Sequence, residues 1–189
     1  IQKAKKMFNV AIAKADYNGN YNYCYCTKSS HFSFILEEAL KNDIHLETSS
    51  AFDMPMIEAL EKKGVLTKDI TVICNGFKTY QYKQYIIDML HDGYKNIIPV
   101  LDNKEEFNLY DDEVEMDTPC NLGIRIAAEE QPDSQFYTSR LGVRMEDVID
   151  FYNNKIAANP NFRVKLLHFF INSGITDSPY YWNELEKYV

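Results

Sequence analysis

Glycine is scarce, with seven in 189 residues. None of them builds a G-x-G-x-x-G turn after the first apolar segment, which argues against a dinucleotide-binding fold. There is no basic excess. Twenty Lys and Arg stand against 28 Asp and Glu, a formal charge of −8, and no basic cluster offsets it, so no nucleic-acid footprint is present. No apolar run approaches the roughly 20 residues of a membrane span, and no signal-peptide pattern opens the chain. The four cysteines, Cys24, Cys26, Cys74 and Cys120, are scattered. No Cys-x-x-Cys or Cys/His pair completes a zinc site, so no metal is expected, and the thiols read as reduced core residues of a cytoplasmic protein.

What is present is an ordinary globular composition, 46% hydrophobic and 25% charged, rich in Tyr (14) and Phe (11). That suffices for one domain with a real core. Tyr21–Ser30 reads as a strand: Tyr21, Tyr23 and Tyr25 share one face, and Asn22, Cys24, Cys26 and Lys28 the other. Such a strand is usually covered on both sides. Further strands are expected at Ile44–Thr48, Ile70–Cys74, Asn96–Leu101, Asn121–Ala127 and Phe162–Ile171. Between them the periodicity predicts helices at His31–Lys41, from Ser50 to Lys63, Tyr80–Gly93, Lys104–Tyr110 and Met145–Ala157, with another at Pro179–Val189. Ile1–Lys14 is an amphipathic helix with Ala4, Met7, Phe8, Ala11 and Ile12 on one face. In His31–Lys41, Phe34, Ile35 and Leu36 can pack inward. Asp111–Pro119 and Ala128–Thr138 read as loops.

Alternating strands and helices predict an α/β fold with a parallel sheet. It could be an open doubly wound sheet or part of an eight-stranded barrel. Polar residues recur just after strands: Lys28, Glu47–Thr48–Ser49, Asn75, Asp102, Arg125 and Ser173. Convergence from many strand ends is the pattern of a barrel's functional face, although Ser49, Asn75 and Asp102 each also suit a turn or helix cap. Lys28 falls at a strand end, where an amine either does imine chemistry or is simply solvated. The chain opens on Ile1, inside a helix-like segment, as a piece of a longer protein would.

Read together, the motifs resemble a known family. YCYCTKSS (Tyr23–Ser30) resembles the strand bearing the cofactor lysine in the fold-type III, alanine-racemase-like pyridoxal-phosphate decarboxylases. IHLETSSAFD, VICNGFK and LGIRIA resemble that family's second, third and fifth strands. YTSRLG is similar to its Ser-Lys-Phe-Gly turn, and LLHFFINSG to the strand reading Leu-His-Phe-His-Ile-Gly-Ser. The ordered set is most similar to biosynthetic arginine decarboxylases. It implies a (β/α)8 TIM-type barrel with about six of its eight units spanning residues 1–189, the remaining strands and a β-domain lying outside. It implies pyridoxal 5'-phosphate as cofactor, an amino-acid substrate and a homo-oligomer, at least a dimer. The implied activity is decarboxylation of arginine to agmatine in polyamine biosynthesis. The alternatives are a sister decarboxylase of diaminopimelate, ornithine or a carboxylated polyamine, or a non-catalytic cofactor-binding barrel.

Carried over residue by residue, Lys28 would hold the cofactor covalently, and Glu47 would lie near it. Arg125 would stand behind the ring and position an acidic partner. Ser173 would bind the phosphate. Phe170 replaces the family's ring-stacking histidine, and His168 lies two residues before it on the same strand face.

Overall fold

The computed structural model describes residues 1–111, 114, 119–127, 141–169 and 186. Its middle strands carry a two-residue rhythm of burial. In β2 (His45–Thr48) and β3 (Thr71–Cys74), Leu46, Thr48, Val72 and Cys74 are buried, while His45, Glu47, Thr71 and Ile73 are only partly so. One sheet face is therefore sealed by helices, and the other looks into a partly open space.

Six strands form the sheet: β1 (Cys24–Cys26), β2, β3, β4 (Asn96–Leu101), β5 (Cys120–Arg125) and β6 (Phe162–His168). All pairings are parallel, and the spatial order is β1-β2-β3-β4-β5-β6. A doubly wound sheet would reverse direction at a switch point. Unbroken sequential order is the winding of a barrel, so the sheet is the partial (β/α)8 barrel that the sequence resemblance implied, not the doubly wound alternative that strand–helix alternation alone allowed. Among the described residues the sheet does not close on itself, and β1 and β6 are its edges.

The helices are α1 (Gln2–Lys14), α2 (Ser33–Leu40), α3 (Met54–Lys62), α4 (Tyr80–His91), α5 (Asn108–Asp111) and α6 (Met145–Phe151). Short 3-10 turns, Ala51–Asp53 and Glu105–Phe107, lead into α3 and α5, and a π turn, Tyr152–Ile156, prolongs α6. α2 to α6 supply one continuous apolar layer with the sheet, running from Leu36 through Met54, Ile57, Tyr82, Ile86, Phe107 and Phe151 to Phe162. Phe107 joins its far end, meeting Phe162 edge-on at 5.1 Å and Phe151 at 6.3 Å between ring centres.

Three expectations are corrected. The first strand does not run through Tyr21–Ser30 but is confined to Cys24–Cys26, and residues 27–29 form a turn. The apolar stripe of α1 is not packed: the helix buries no residue, and Met7 and Phe8 are exposed. It is held by Lys5, which donates to the Asn42 and Asp43 carbonyls, and by Phe8 stacked on Tyr21 at 4.0 Å. In α2 only Leu36 of the expected trio is buried, and Phe34 is exposed. The expected Pro179–Val189 helix, apart from Glu186, and most of the two acidic or polar loops lie outside the described residues.

Candidate active site

The inner face is built by alternation. A Cβ on Gly123 would come within 3.0 Å of the Val100 side chain and 3.3 Å of the Leu166 side chain. Val100, Gly123 and Leu166 therefore share one face, away from the helices. Two residues further along the same strands come Asp102, Arg125 and His168. A bulge after Leu122 shifts the pairing, so that Arg125 stands opposite His168. Without that extra residue His168 would fall on the helix face. The same alternation brings Glu47 of β2 and Asn75, just past β3, to this face. His168 thus stands level with Arg125.

Two pairs organise this tier. Arg125 Nη1 lies 3.3 Å from Asp102 Oδ1, with side chains 14% and 0% exposed. Asn75 Nδ2 donates to Glu47 Oε1 at 3.0 Å. Glu47, Arg125, Asp102 and Lys78 all act electrostatically on His168, whose pKa falls below the usual imidazole value chiefly through burial, with Glu47 pulling it back up. Three buried polar atoms facing this tier have no hydrogen-bond partner among the described residues: Asn75 Oδ1, Asp102 Oδ2 and His168 Nδ1. Buried polar atoms are normally paired; the Tyr94 and Tyr110 hydroxyls, in the helix-side core, likewise have no partner among the described residues. No cluster of three or more metal-binding side chains occurs among the described residues.

Lys28 lies in the turn directly after β1. That turn is fixed by Thr27, whose N–H (2.9 Å) and hydroxyl (3.1 Å) both donate to the Glu47 carbonyl. The lysine is therefore neighbour to the strand carrying Glu47. It is exposed, however, not at the end of a buried strand as expected. Among the described residues β1 is an edge of the sheet. Phe170 and Ser173 lie outside the described residues.

The other strand-end residues differ in what their side chains do. Ser49 is a turn residue: its N–H donates to Asp53 Oδ2 at 2.9 Å, beside the Ser50–Asp53 capping box. Asn75 and Asp102 are not caps, since their side chains meet Glu47 and Arg125. Asn103 caps instead, accepting from the Glu106 N–H at 2.9 Å.

Sequence reasoning missed a buried ion pair behind Asp102. Lys78 has a fully buried side chain, and its Nζ donates to the carbonyls of Gly76 and Val100 (2.6 Å) and lies 3.8 Å from Glu106 Oε2. Glu106 accepts from the Lys78 and Asp102 N–H groups at 3.3 and 2.9 Å. Burial lowers the Lys78 pKa and raises that of Glu106, each against the attraction of the other. A buried lysine with a lowered pKa has the electronic profile of an imine-forming residue, but this amine is committed to two carbonyls and closed to ligand. The accessible strand-end amine is Lys28. The signal for Lys78 was its place in VICNGFK, flanked by an apolar strand and an aromatic helix start.

The fold and this tier define a partial barrel of the type found in fold-type III decarboxylases. No protein-family model matches the chain. The particular relatives are biosynthetic arginine decarboxylases. That of Shewanella denitrificans is 25% identical over 183 residues, covering 90% of this chain and 28% of that protein. That of Shewanella loihica is 23% identical over 203 residues, covering 95% and 31%. The chain thus spans about three-tenths of the length of the curated relatives it matches. Among solved structures it is similar to the Paramecium bursaria Chlorella virus arginine decarboxylase bound to agmatine, with TM-score 0.66 and 13% identity over 88% of this chain and 41% of that one. It is also similar to an SrLDC mutant in complex with PLP, with TM-score 0.68 and 16% identity over 87% and 39%. A third is the M. jannaschii diaminopimelate decarboxylase in complex with L-lysine, with TM-score 0.63 and 20% identity over 84% and 37%. At these identities the structural likeness establishes the fold.

Proposed function

We propose that the protein decarboxylates a basic amino acid, arginine to agmatine in polyamine biosynthesis, with pyridoxal phosphate against the inner polar tier and Lys28 as its covalent anchor. The observation that carries this reading is the tier itself. Two carboxylates, a guanidinium, an imidazole and a carboxamide converge from successive strand ends, next to an accessible amine, and three buried polar atoms there lack partners. That donor and acceptor set fits a ring bearing polar substituents. The names of the sequence relatives support arginine, and the likeness to a diaminopimelate decarboxylase keeps that substrate in the test.

When bound, pyridoxal phosphate supplies the electron sink that lets an amino acid lose CO2. The chain's own residues bind and orient. Lys28 presents its amine from a turn pinned to β2. Glu47, on the neighbouring strand, offers a carboxylate steadied by Asn75. Arg125, paired with Asp102, brings a cation to the floor of the tier without leaving its own charge unbalanced. Phe170 would stack through a phenyl face that neither donates nor carries a proton, so proton traffic on that side would rest on His168. Ser173 would hold the phosphate. Carboxylates that read a guanidinium would lie further out, since paired N–H donors favour them. The protein would work in the cytoplasm as a dimer or larger homo-oligomer.

The test uses the protein expressed from its full open reading frame. Borohydride reduction after loading, followed by peptide mapping, is expected to place the cofactor on the peptide containing Lys28. CO2 release from a panel of labelled amino acids should be greatest for arginine. Label on Lys78 would refute the anchor. Greater release from diaminopimelate or ornithine would transfer the activity to a sister substrate, and release from none would leave a non-catalytic cofactor-binding barrel.

A further inference from the structure

Asn75 is held more rigidly than a loop asparagine requires. Its N–H donates to the Thr48 carbonyl at 2.9 Å, carrying the β2–β3 ladder one step beyond the strands. Its own carbonyl accepts from the Tyr82 hydroxyl at 3.2 Å. Tyr82 is fully buried, and its hydroxyl also meets Thr48 Oγ1 at 2.7 Å. The next residue, Gly76, takes φ +87° and passes so close to β2 that a Cβ there would lie 2.6 Å from the Ser49 carbonyl oxygen. A buried tyrosine, a ladder bond and a glycine crossing thus fix the backbone of Asn75 on three sides. The only freedom left is in its side chain. That side chain donates its amide to Glu47 Oε1 at 3.0 Å and holds Oδ1 buried without a partner.

We propose that Asn75 is a positioning residue for Glu47, setting the direction in which that carboxylate meets the bound pyridoxal phosphate. A carboxylate on a two-bond stem has several rotamers. One charge-assisted hydrogen bond from a fixed donor selects among them, and such bonds are both directional and strong. The carboxamide is the group that suits the place. It donates to Glu47 and keeps an acceptor, Oδ1, free for a second polar group. A serine could not do both at that reach, and an aspartate would oppose charge to charge.

This role rests on the proposed reading of Glu47 as a cofactor neighbour, and the experiment separates the two. In the full-length protein, Asn75→Ala, Asn75→Ser, Glu47→Gln and the exchanged pair N75D/E47Q are compared by three measurements. These are melting of the cofactor-free protein, pyridoxal phosphate affinity, and the absorption maximum of the bound cofactor. Asn75→Ala and Asn75→Ser should melt within a few degrees of the parent, bind pyridoxal phosphate about tenfold more weakly, and shift the absorption maximum. The exchanged pair restores a hydrogen bond with its carboxylate on the other strand. Like the single variants it should melt within a few degrees of the parent, but it should not regain the affinity or the parental spectrum. Parental affinity and spectrum in both Asn75 variants would overturn the role, as would full recovery of affinity in the exchanged pair. A parent protein that binds no pyridoxal phosphate would remove the underlying reading and this role with it.

Discussion

Arg125 and Asp102 show why side chains at strand ends have to be judged in pairs. A guanidinium 14% exposed beside a fully buried carboxylate has lost most of its hydration, and the neighbouring charge offsets that loss. Removing one member of such a pair costs about 3–5 kcal/mol, largely because the other stays buried and uncompensated. Arg125→Ala should therefore lower the denaturant midpoint by that equivalent and weaken cofactor retention together. An unchanged midpoint with unchanged binding would make Arg125 a bystander. His168 gives a pH signature. Its folded pKa lies below the ordinary 6.5, mainly through burial, among Glu47, Arg125, Asp102 and Lys78. The unfolded chain thus takes up a proton first as pH falls. The stability this histidine contributes is present above pH 6.5 and is lost as pH drops from there through its lower folded value. Comparing the parent with His168→Gln in unfolding titrations from pH 7.5 to 5 should show the steeper loss in the parent. Parallel curves would mean that His168 titrates alike in both states.

At the scale of elements, the Cys74–Asn75–Gly76 crossing connects sheet to site. Gly76→Ala would place a Cβ in the Ser49 carbonyl and force an L side chain into the left-handed region. The backbone has no flexible neighbour to give way there, so the cost should exceed the roughly 1–3 kcal/mol of a strained dihedral alone. Melting temperature and the protection of the Asn75 amide against exchange should fall together, and a melting temperature equal to the parent's would refute the crossing as a rigid element. The β6 bulge is the second such device: one inserted residue turns Leu166 and His168 inward while Phe162 stays in the helix-side core. Thiol chemistry is quiet by comparison. Burial pushes Cys24 and Cys74 up to about 11 and Cys120 up to about 12, in keeping with structural rather than reactive cysteines.

For the whole molecule, the governing fact is an open sheet. Among the described residues, six parallel strands leave the outer edges of β1 and β6 without a neighbouring strand, and such edges recruit other chains or aggregate. The inner face, which a closed barrel fills from all sides, is only half covered at Cys24, Glu47, Thr71 and Ile73. Residues Ile1–Val189 purified alone should therefore be poorly soluble or partner-dependent, and should release no CO2 from arginine in the presence of pyridoxal phosphate. A soluble monomer turning over at enzymatic rates would show that six strands suffice.

The sequence by itself determined which segments are strands and which are helices, because those depend on local periodicity and on turn residues. Five of the six strands start or end within a residue or so of the expected bounds, up to where the described residues stop. It also singled out Lys28, Glu47 and Arg125, because polar residues at the ends of apolar strands are conspicuous in one dimension; His168 came only from the likeness of LLHFFINSG to a family strand. Tertiary structure alone decided the rest. Barrel winding over a doubly wound sheet depends on which strands become neighbours; strand–helix alternation is the same for both, and only the ordered family motifs pointed to the barrel in advance. The exposure of α1 and Phe34 depends on what lies against them, which amphipathic spacing cannot reveal. The links from Asn75 to Glu47 and from Lys78 to Glu106 each span 28 residues. They exist because parallel pairing brings successive strand ends to one rim, where hydrogen-bond geometry rather than sequence spacing selects the partner.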